Sequence, residues 1–89
     1  MEQTKLIFLH GLGQTATDWQ PVISELQTTN TLSLSLFEDF SAQDRLDLER
    51  LHAALTRKMA VIDEPYILCG LSLGAVLALK QAIAAAPLL

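Results

Sequence analysis

Five residues constrain this chain more than any others: Gly70-Leu71-Ser72-Leu73-Gly74, a Gly-x-Ser-x-Gly sequence. An apolar run, Tyr66-Ile67-Leu68-Cys69, leads into it, and a helix-forming run, Ala75-Val76-Leu77-Ala78-Leu79, leads out. A buried strand, a sharp turn and a helix together make the context of a nucleophile elbow. Such a turn lifts the serine hydroxyl clear of the sheet and holds its backbone under strain. Gly70 and Gly74 flank it because strand and helix come too close there for a Cβ. The new helix aims its first N–H groups and the positive end of its dipole at the serine. The plainer reading is a glycine-rich turn with an N-capping serine.

The rest of the chain alternates in the same way. Lys5-Leu6-Ile7-Phe8-Leu9 is a short continuous apolar run, the pattern of a buried parallel strand. It ends at His10-Gly11-Leu12-Gly13, followed by polar residues 14–17. Asp18 is the expected N-cap of a helix over Trp19 to Leu26, with Pro21 harmless in its first turn. Trp19, Val22, Ile23 and Leu26 form its expected buried stripe. Thr28-Thr29-Asn30 reads as a turn. Thr31 to Leu36 alternates strictly, which predicts a strand with one face less buried than the other, closed by the loop Glu38-Asp39-Phe40. Ser41-Ala42-Gln43-Asp44 has the form of a capping box, with Asp44 in the usual place of Glu or Gln. A helix is expected from there to about Val61. Leu48, Leu51, Leu55, Met59 and Ile62 make its apolar face, and Glu49, Arg50, Arg57 and Lys58 a solvated one. Asp63-Glu64-Pro65 breaks it, and the last helix is expected to run to about Ala86.

Strand and helix alternating three times predict an α/β fold with three parallel strands. If the elbow strand lies beside the first, the order is second, first, third. Right-handed crossovers then put helices on both faces. The ends of the first and elbow strands flank a topological switch point, where open α/β sheets bind ligands. Two glycine-bearing loops, His10 to Gly13 and Gly70 to Gly74, meet there.

Composition narrows the partners. The net charge is −4 with no basic run, so nucleic acid is not an expected partner. The lone cysteine, Cys69, sits in the predicted core strand and reads as a small buried hydrophobe. With no disulfide possible inside the chain, a reducing, cytoplasmic location is the expectation. The apolar segment Leu6 to Leu9 is too short for a signal peptide, and the last helix, broken by Lys80-Gln81, is too short and polar to span a bilayer.

Three segments resemble the N-terminal half of an α/β-hydrolase of the small carboxylesterase-like kind. They are Leu9 to Thr15 with Trp19, the strand ending near Phe37-Glu38-Asp39, and Cys69 to Ala75. The resemblance implies a partial α/β-hydrolase fold over residues 1–89, with the domain's C-terminal half absent. It implies that Ser72 is the nucleophile and that the backbone N–H groups of Leu12 and Leu73 form the oxyanion hole. Backbone donors explain how leucines can sit there. His10, Gly11, Gly13, Gly70 and Gly74 would shape the two loops. The implied activity is hydrolysis of small-molecule esters or related acyl compounds, with no metal or cofactor.

The chain departs from the family in one large respect. In that fold the acid and the histidine follow the serine. No Asp, Glu or His follows Ser72 in these 89 residues; His10 and His52 both precede it. His52 falls mid-helix beside the apolar face and reads as structural. The expectation is a fragment lacking its general base, and inactive alone. A rival reading takes Gly11-Leu12-Gly13-Gln14-Thr15-Ala16 as a dinucleotide fingerprint, with Glu38 or Asp39 at the end of the next strand. Against it stand the later helix start expected at Asp18 and the unexplained elbow. A third possibility is a non-catalytic module that associates through the open edge of the elbow strand.

Overall fold

The computed structural model describes residues 4–26, 30–41 and 43–85. The strands are β1 (Lys5–Leu9), β2 (Thr31–Leu34) and β3 (Tyr66–Gly70). The helices are α1 (Gln20–Glu25), α2 (Leu48–Met59) and α3 (Leu73–Ala85), with a 3-10 turn at Ala16–Trp19 before α1. All strands are parallel, in the order β2-β1-β3. The register pairs Ile7 with Leu32 and Leu68, and Leu9 with Leu34 and Gly70.

Alternation along β1 divides the side chains between two faces. Ile7 and Leu9 point to one face, where Leu51, Leu55 and Met59 of α2 and Leu77 of α3 close over them. Phe8 points to the other, where Trp19 packs on it with ring centroids 4.9 Å apart. Ser33, in register with Phe8, donates its hydroxyl to the Ala16 carbonyl at 2.6 Å and ties β2 to the 3-10 turn. Helices therefore lie on both faces, and the core lies mainly on one.

Several local expectations change. Asp18 does not cap α1. Its carboxylate accepts the Thr15 N–H at 2.9 Å and closes a capping box that begins the 3-10 turn at Thr15. A 3-10 turn thus precedes the helix, and α1 itself starts at Gln20, one residue later than expected. Val22 is 46% exposed, because the six-residue α1 is too short to turn a full stripe toward the sheet. β2 ends at Leu34, and all four of its residues are half-buried, as befits an edge strand. The Ser41–Asp44 box forms only half: the Ser41 N–H reaches the Asp44 carboxylate at 2.7 Å, but the Asp44 N–H goes to the Ser41 carbonyl and the Ser41 hydroxyl accepts from the Gln43 N–H, which closes a turn. The helix begins only at Leu48, capped by Asp47, whose Oδ1 accepts the Arg50 N–H at 2.8 Å. Leu48, at its first position, stays exposed. Met59, not Val61, is its last residue. The turn expected at Thr28-Thr29 and the end of the last helix near Ala86 lie outside the described residues.

β3 pairs only with β1 among the described residues, so its outer edge has no strand beside it. Ile67 is half exposed there. A groove of about 460 Å³ runs along this side between β3 and α3, lined by Tyr66, Leu68, Leu79 and Gln81 among others. No helix among the described residues is long and apolar enough to cross a membrane.

Candidate active site

The chain passes from β3 to α3 through two residues, Leu71 and Ser72. Leu71 extends the sheet by one bond, its N–H reaching the Leu9 carbonyl at 3.2 Å. Ser72 then takes φ = 56° and is the one non-glycine residue with positive φ among those described. That left-handed conformation is costly for an L-residue and persists only where its surroundings enforce it. The Ser72 carbonyl accepts the N–H groups of Ala75 and Val76 at 2.9 and 3.2 Å, so it starts α3. An ordinary N-cap serine has extended backbone and gives its side-chain oxygen to the helix. Ser72 does neither: its hydroxyl makes no hydrogen bond among the described residues and is left exposed. This geometry disfavours the N-cap reading of the Gly-x-Ser-x-Gly stretch.

The flanking glycines follow from packing. A Cβ on Gly74 would run into the Leu9 and His10 carbonyls, and one on Gly70 into the Gly74 carbonyl. The start of α3 therefore lies directly on the end of β1. Gly11 is confined less severely: a Cβ there would sit 3.2 Å from the Ser72 Cβ and 3.1 Å from the Leu71 carbonyl. The loop after β1 rests against the elbow.

That loop is a turn closed by the Gln14 N–H on the Gly11 carbonyl at 3.1 Å, with Gly13 at φ = 80°. Positive φ at the third turn residue is what a type II turn requires. The Gly11 N–H is taken by the Gln14 side-chain Oε1 at 2.8 Å. The N–H groups of Leu12 and Gly13 make no hydrogen bond among the described residues. Leu73 opens α3, where the first N–H groups have no intrahelical acceptor. The Gly74 and Ala75 N–H groups are spent on Leu71 and Ser72. Leu73 is thus the first elbow residue after the serine with an N–H to offer a ligand.

His10 is 2% exposed and both its ring nitrogens are engaged. Nε2 accepts the Leu36 N–H at 3.0 Å, which places the proton on Nδ1, 2.9 Å from the Gly11 carbonyl. Phe37 meets the ring edge-on, centroids 5.2 Å apart. His10 thus fastens the β1 loop to the end of β2 and has no nitrogen left to act as a base. His52 lies on α2 with its Nε2 buried and without a hydrogen-bond partner. Burial pushes the half-buried Cys69 thiol above its usual pKa. Glu38 and Asp39, the acids of the rival dinucleotide reading, both pair with Lys58 of α2, Asp39 at 3.0 Å. Among the described residues no group of three His, Cys, Asp or Glu could hold a metal ion.

Beside the elbow, Gln14, Asp18, Trp19, Val22 and Leu71 line a cavity of about 110 Å³. The brace from Gln14 and the anchorage of His10 on Leu36 were not legible in the sequence. Gln14 lies three residues beyond Gly11, which is turn spacing, but nothing in residue order says which atom its amide would meet.

A strained serine between strand and helix, against a glycine loop at the end of the neighbouring strand, is the arrangement of α/β-hydrolases. The family model described as the alpha/beta hydrolase family matches residues 6–89, and the chain belongs to that family. A Haemophilus influenzae protein with the provisional name 2-succinyl-6-hydroxy-2,4-cyclohexadiene-1-carboxylate synthase is 39% identical over 84 residues. The match covers 90% of this chain and 34% of that protein, so the chain spans about a third of its relative's length. No solved structure matches the chain.

Proposed function

We propose that the chain carries the nucleophile half of a serine-dependent acyl-transfer site. Ser72 attacks a carbonyl carbon, and the N–H groups of Leu12 and Leu73 hold the oxyanion that forms. The observation that carries this reading is the left-handed Ser72 set against Gly11. Strain of this kind is stored where a side chain must be presented, and the Ser72 hydroxyl and the Leu12 N–H have no hydrogen-bond partner among the described residues. The substrate class is a carboxylic ester or related small acyl compound.

A serine hydroxyl needs a base to take its proton. His10 is committed on both nitrogens, and no Asp, Glu or His follows Ser72 in these residues. The base and its orienting carboxylate therefore come from outside this stretch. The unpaired edge of β3 is where a further strand would extend the sheet; in isolation the same edge would let copies of the chain associate. Size-exclusion chromatography of the 89-residue chain at several concentrations tests that: a concentration-independent monomer counts against association.

The relative's name supports a second reading, in which the same elbow serves a reaction yielding a carboxylate-bearing cyclohexadiene. Neither residues 10–19 nor residues 70–77 contain Lys or Arg, so cations for such a product would also come from elsewhere.

The test mixes the chain with the separately expressed remainder of the Haemophilus relative and adds a fluorophosphonate probe. The adduct should map to Ser72, and Ser72→Ala should abolish it. Labelling that persists in the variant overturns the assignment. Saturable, tight NADH binding would restore the dinucleotide reading. Competition by the named cyclohexadiene carboxylate would favour the second reading over a simple esterase.

A further inference from the structure

We propose that Gln14 is the positioning residue of the oxyanion loop: its side-chain amide occupies the Gly11 N–H and thereby leaves the Leu12 N–H as a donor fixed beside Ser72. The proposal rests on the reading of Leu12 and Leu73 as the oxyanion donors and deepens it.

The turn over residues 11–14 has four N–H groups, and their fates differ. The backbone bond from Gln14 to the Gly11 carbonyl sets the turn, at 3.1 Å. That bond alone leaves the Gly11 N–H unmet in a buried position. The Gln14 Oε1 meets it at 2.8 Å, closing a second ring over the first. The identity of that atom is fixed by chemistry, because an N–H requires an acceptor and the amide nitrogen has none to give. Leu12 and Gly13 are then the turn residues whose N–H groups have no partner among the described residues.

Sterics put the brace in a controlling place. A Cβ built on Gly11 would meet Gln14 Oε1 at 2.9 Å and the Ser72 Cβ at 3.2 Å. Gly11 is thus held between the Gln14 amide and the elbow. Any relaxation of Gln14 shifts Gly11, and with it the adjoining Leu12 peptide, relative to the serine. Gly13, at positive φ with nothing within 4 Å of a built Cβ, offers no packing to resist that shift. An oxyanion donor acts only within a few tenths of an ångström of its place, so holding the loop acts on the transition state and not on substrate capture.

Two variants separate brace from bulk. Gln14→Ala removes the acceptor. Gln14→Glu keeps an acceptor of the same shape, and a carboxylate accepts a backbone N–H at least as well. Amide hydrogen exchange is followed by NMR on the ¹⁵N-labelled chain, and ester hydrolysis on the mixture with the relative's remainder. In Gln14→Ala the Gly11 amide should exchange about fivefold to tenfold faster, the loss of one hydrogen bond. The same variant should lower kcat on the order of tenfold while KM moves less than about threefold. Gln14→Glu should return the exchange rate and kcat to within about threefold of wild type. Unchanged Gly11 protection in Gln14→Ala overturns the proposal. So does faster exchange with an undiminished kcat. A wild-type mixture without Ser72-dependent turnover counts against the Ser72 reading, and the exchange of Gly11 then still decides whether Gln14 braces the loop.

Discussion

The two faces of the sheet are built to different standards. On one, Ile7 and Leu9 are fully buried under Leu51, Leu55, Met59 and Leu77. On the other, Phe8 is the single buried strand side chain among those described, and the residues around it are half open. Trp19 covers Phe8, but Val22 and Ile67 reach about half exposure. The difference shows what the elbow depends on. Gly74 presses α3 onto the end of β1 from the packed side, and that contact holds Ser72 in its left-handed conformation. The open side carries the small cavity next to Leu71.

The sharpest way to break the comparison is Gly74→Ala. The new methyl would meet the Leu9 and His10 carbonyls well inside contact distance, so α3 must leave β1. The expected cost exceeds about 4 kcal/mol, which a small domain cannot absorb. A denaturant melt should show no cooperative transition; a normal melt would mean that α3 docks more loosely than described. Leu55→Ala comes next. Leu55 is 1% exposed at the centre of the packed face, and its loss should cost about 2–5 kcal/mol. The same melt measures it, and a cost under about 1 kcal/mol would show that the face collapses around the gap.

Much of this contrast could be read from residue order. The β1 run and the elbow run are continuous and short, and parallel strands buried on a sheet leave that signature. The spacing of Leu51, Leu55 and Met59 placed α2 on the core. The positions that escaped are those where a hydrogen bond other than the expected one is made, local at Asp18 and Ser41 and long-range at Leu36. Asp18 looks like a helix cap until its carboxylate finds Thr15. Ser41 and Asp44 look like a capping box but close a turn instead. Leu36 continues the alternation of β2, but its N–H goes to His10, which ends the strand early. The turn at Ser72 and the two glycine loops were legible because close backbone packing requires small residues at fixed offsets. Gln14 was not, because a glutamine in a turn has no offset that reveals its acceptor.

Two smaller effects sharpen the picture. Burial opposes the charge on Lys58, but Glu38 and Asp39 outweigh it and raise its pKa above 10.5. Because the folded-state value is the higher one, the pair's stabilisation is complete below the unfolded pKa and is lost as pH rises through the folded one. Both acids lie on the surface, so the gain is less than about 1 kcal/mol. Stability measured from pH 9 upward should fall in wild type and lose that component of its slope in Lys58→Met. An identical slope in the variant would remove Lys58 from the account. Val22→Ala, on the open face, should change stability by no more than about 0.5 kcal/mol in the same melt. A cost near that of Leu55→Ala would erase the distinction between the faces.

The proposed function gives these residues the nucleophile and its oxyanion donors but not the base. The direct measurement is multiple-turnover hydrolysis of an activated ester by the purified 89-residue chain, alone and after addition of the relative's remainder, each against Ser72→Ala. Without a triad member, catalysis falls to about 10³–10⁴-fold over water even when the oxyanion hole and binding survive. The account predicts no Ser72-dependent turnover at an enzymic rate from the chain alone, and its appearance on mixing. Robust Ser72-dependent turnover by the chain alone would contradict it, and would require a base within these residues.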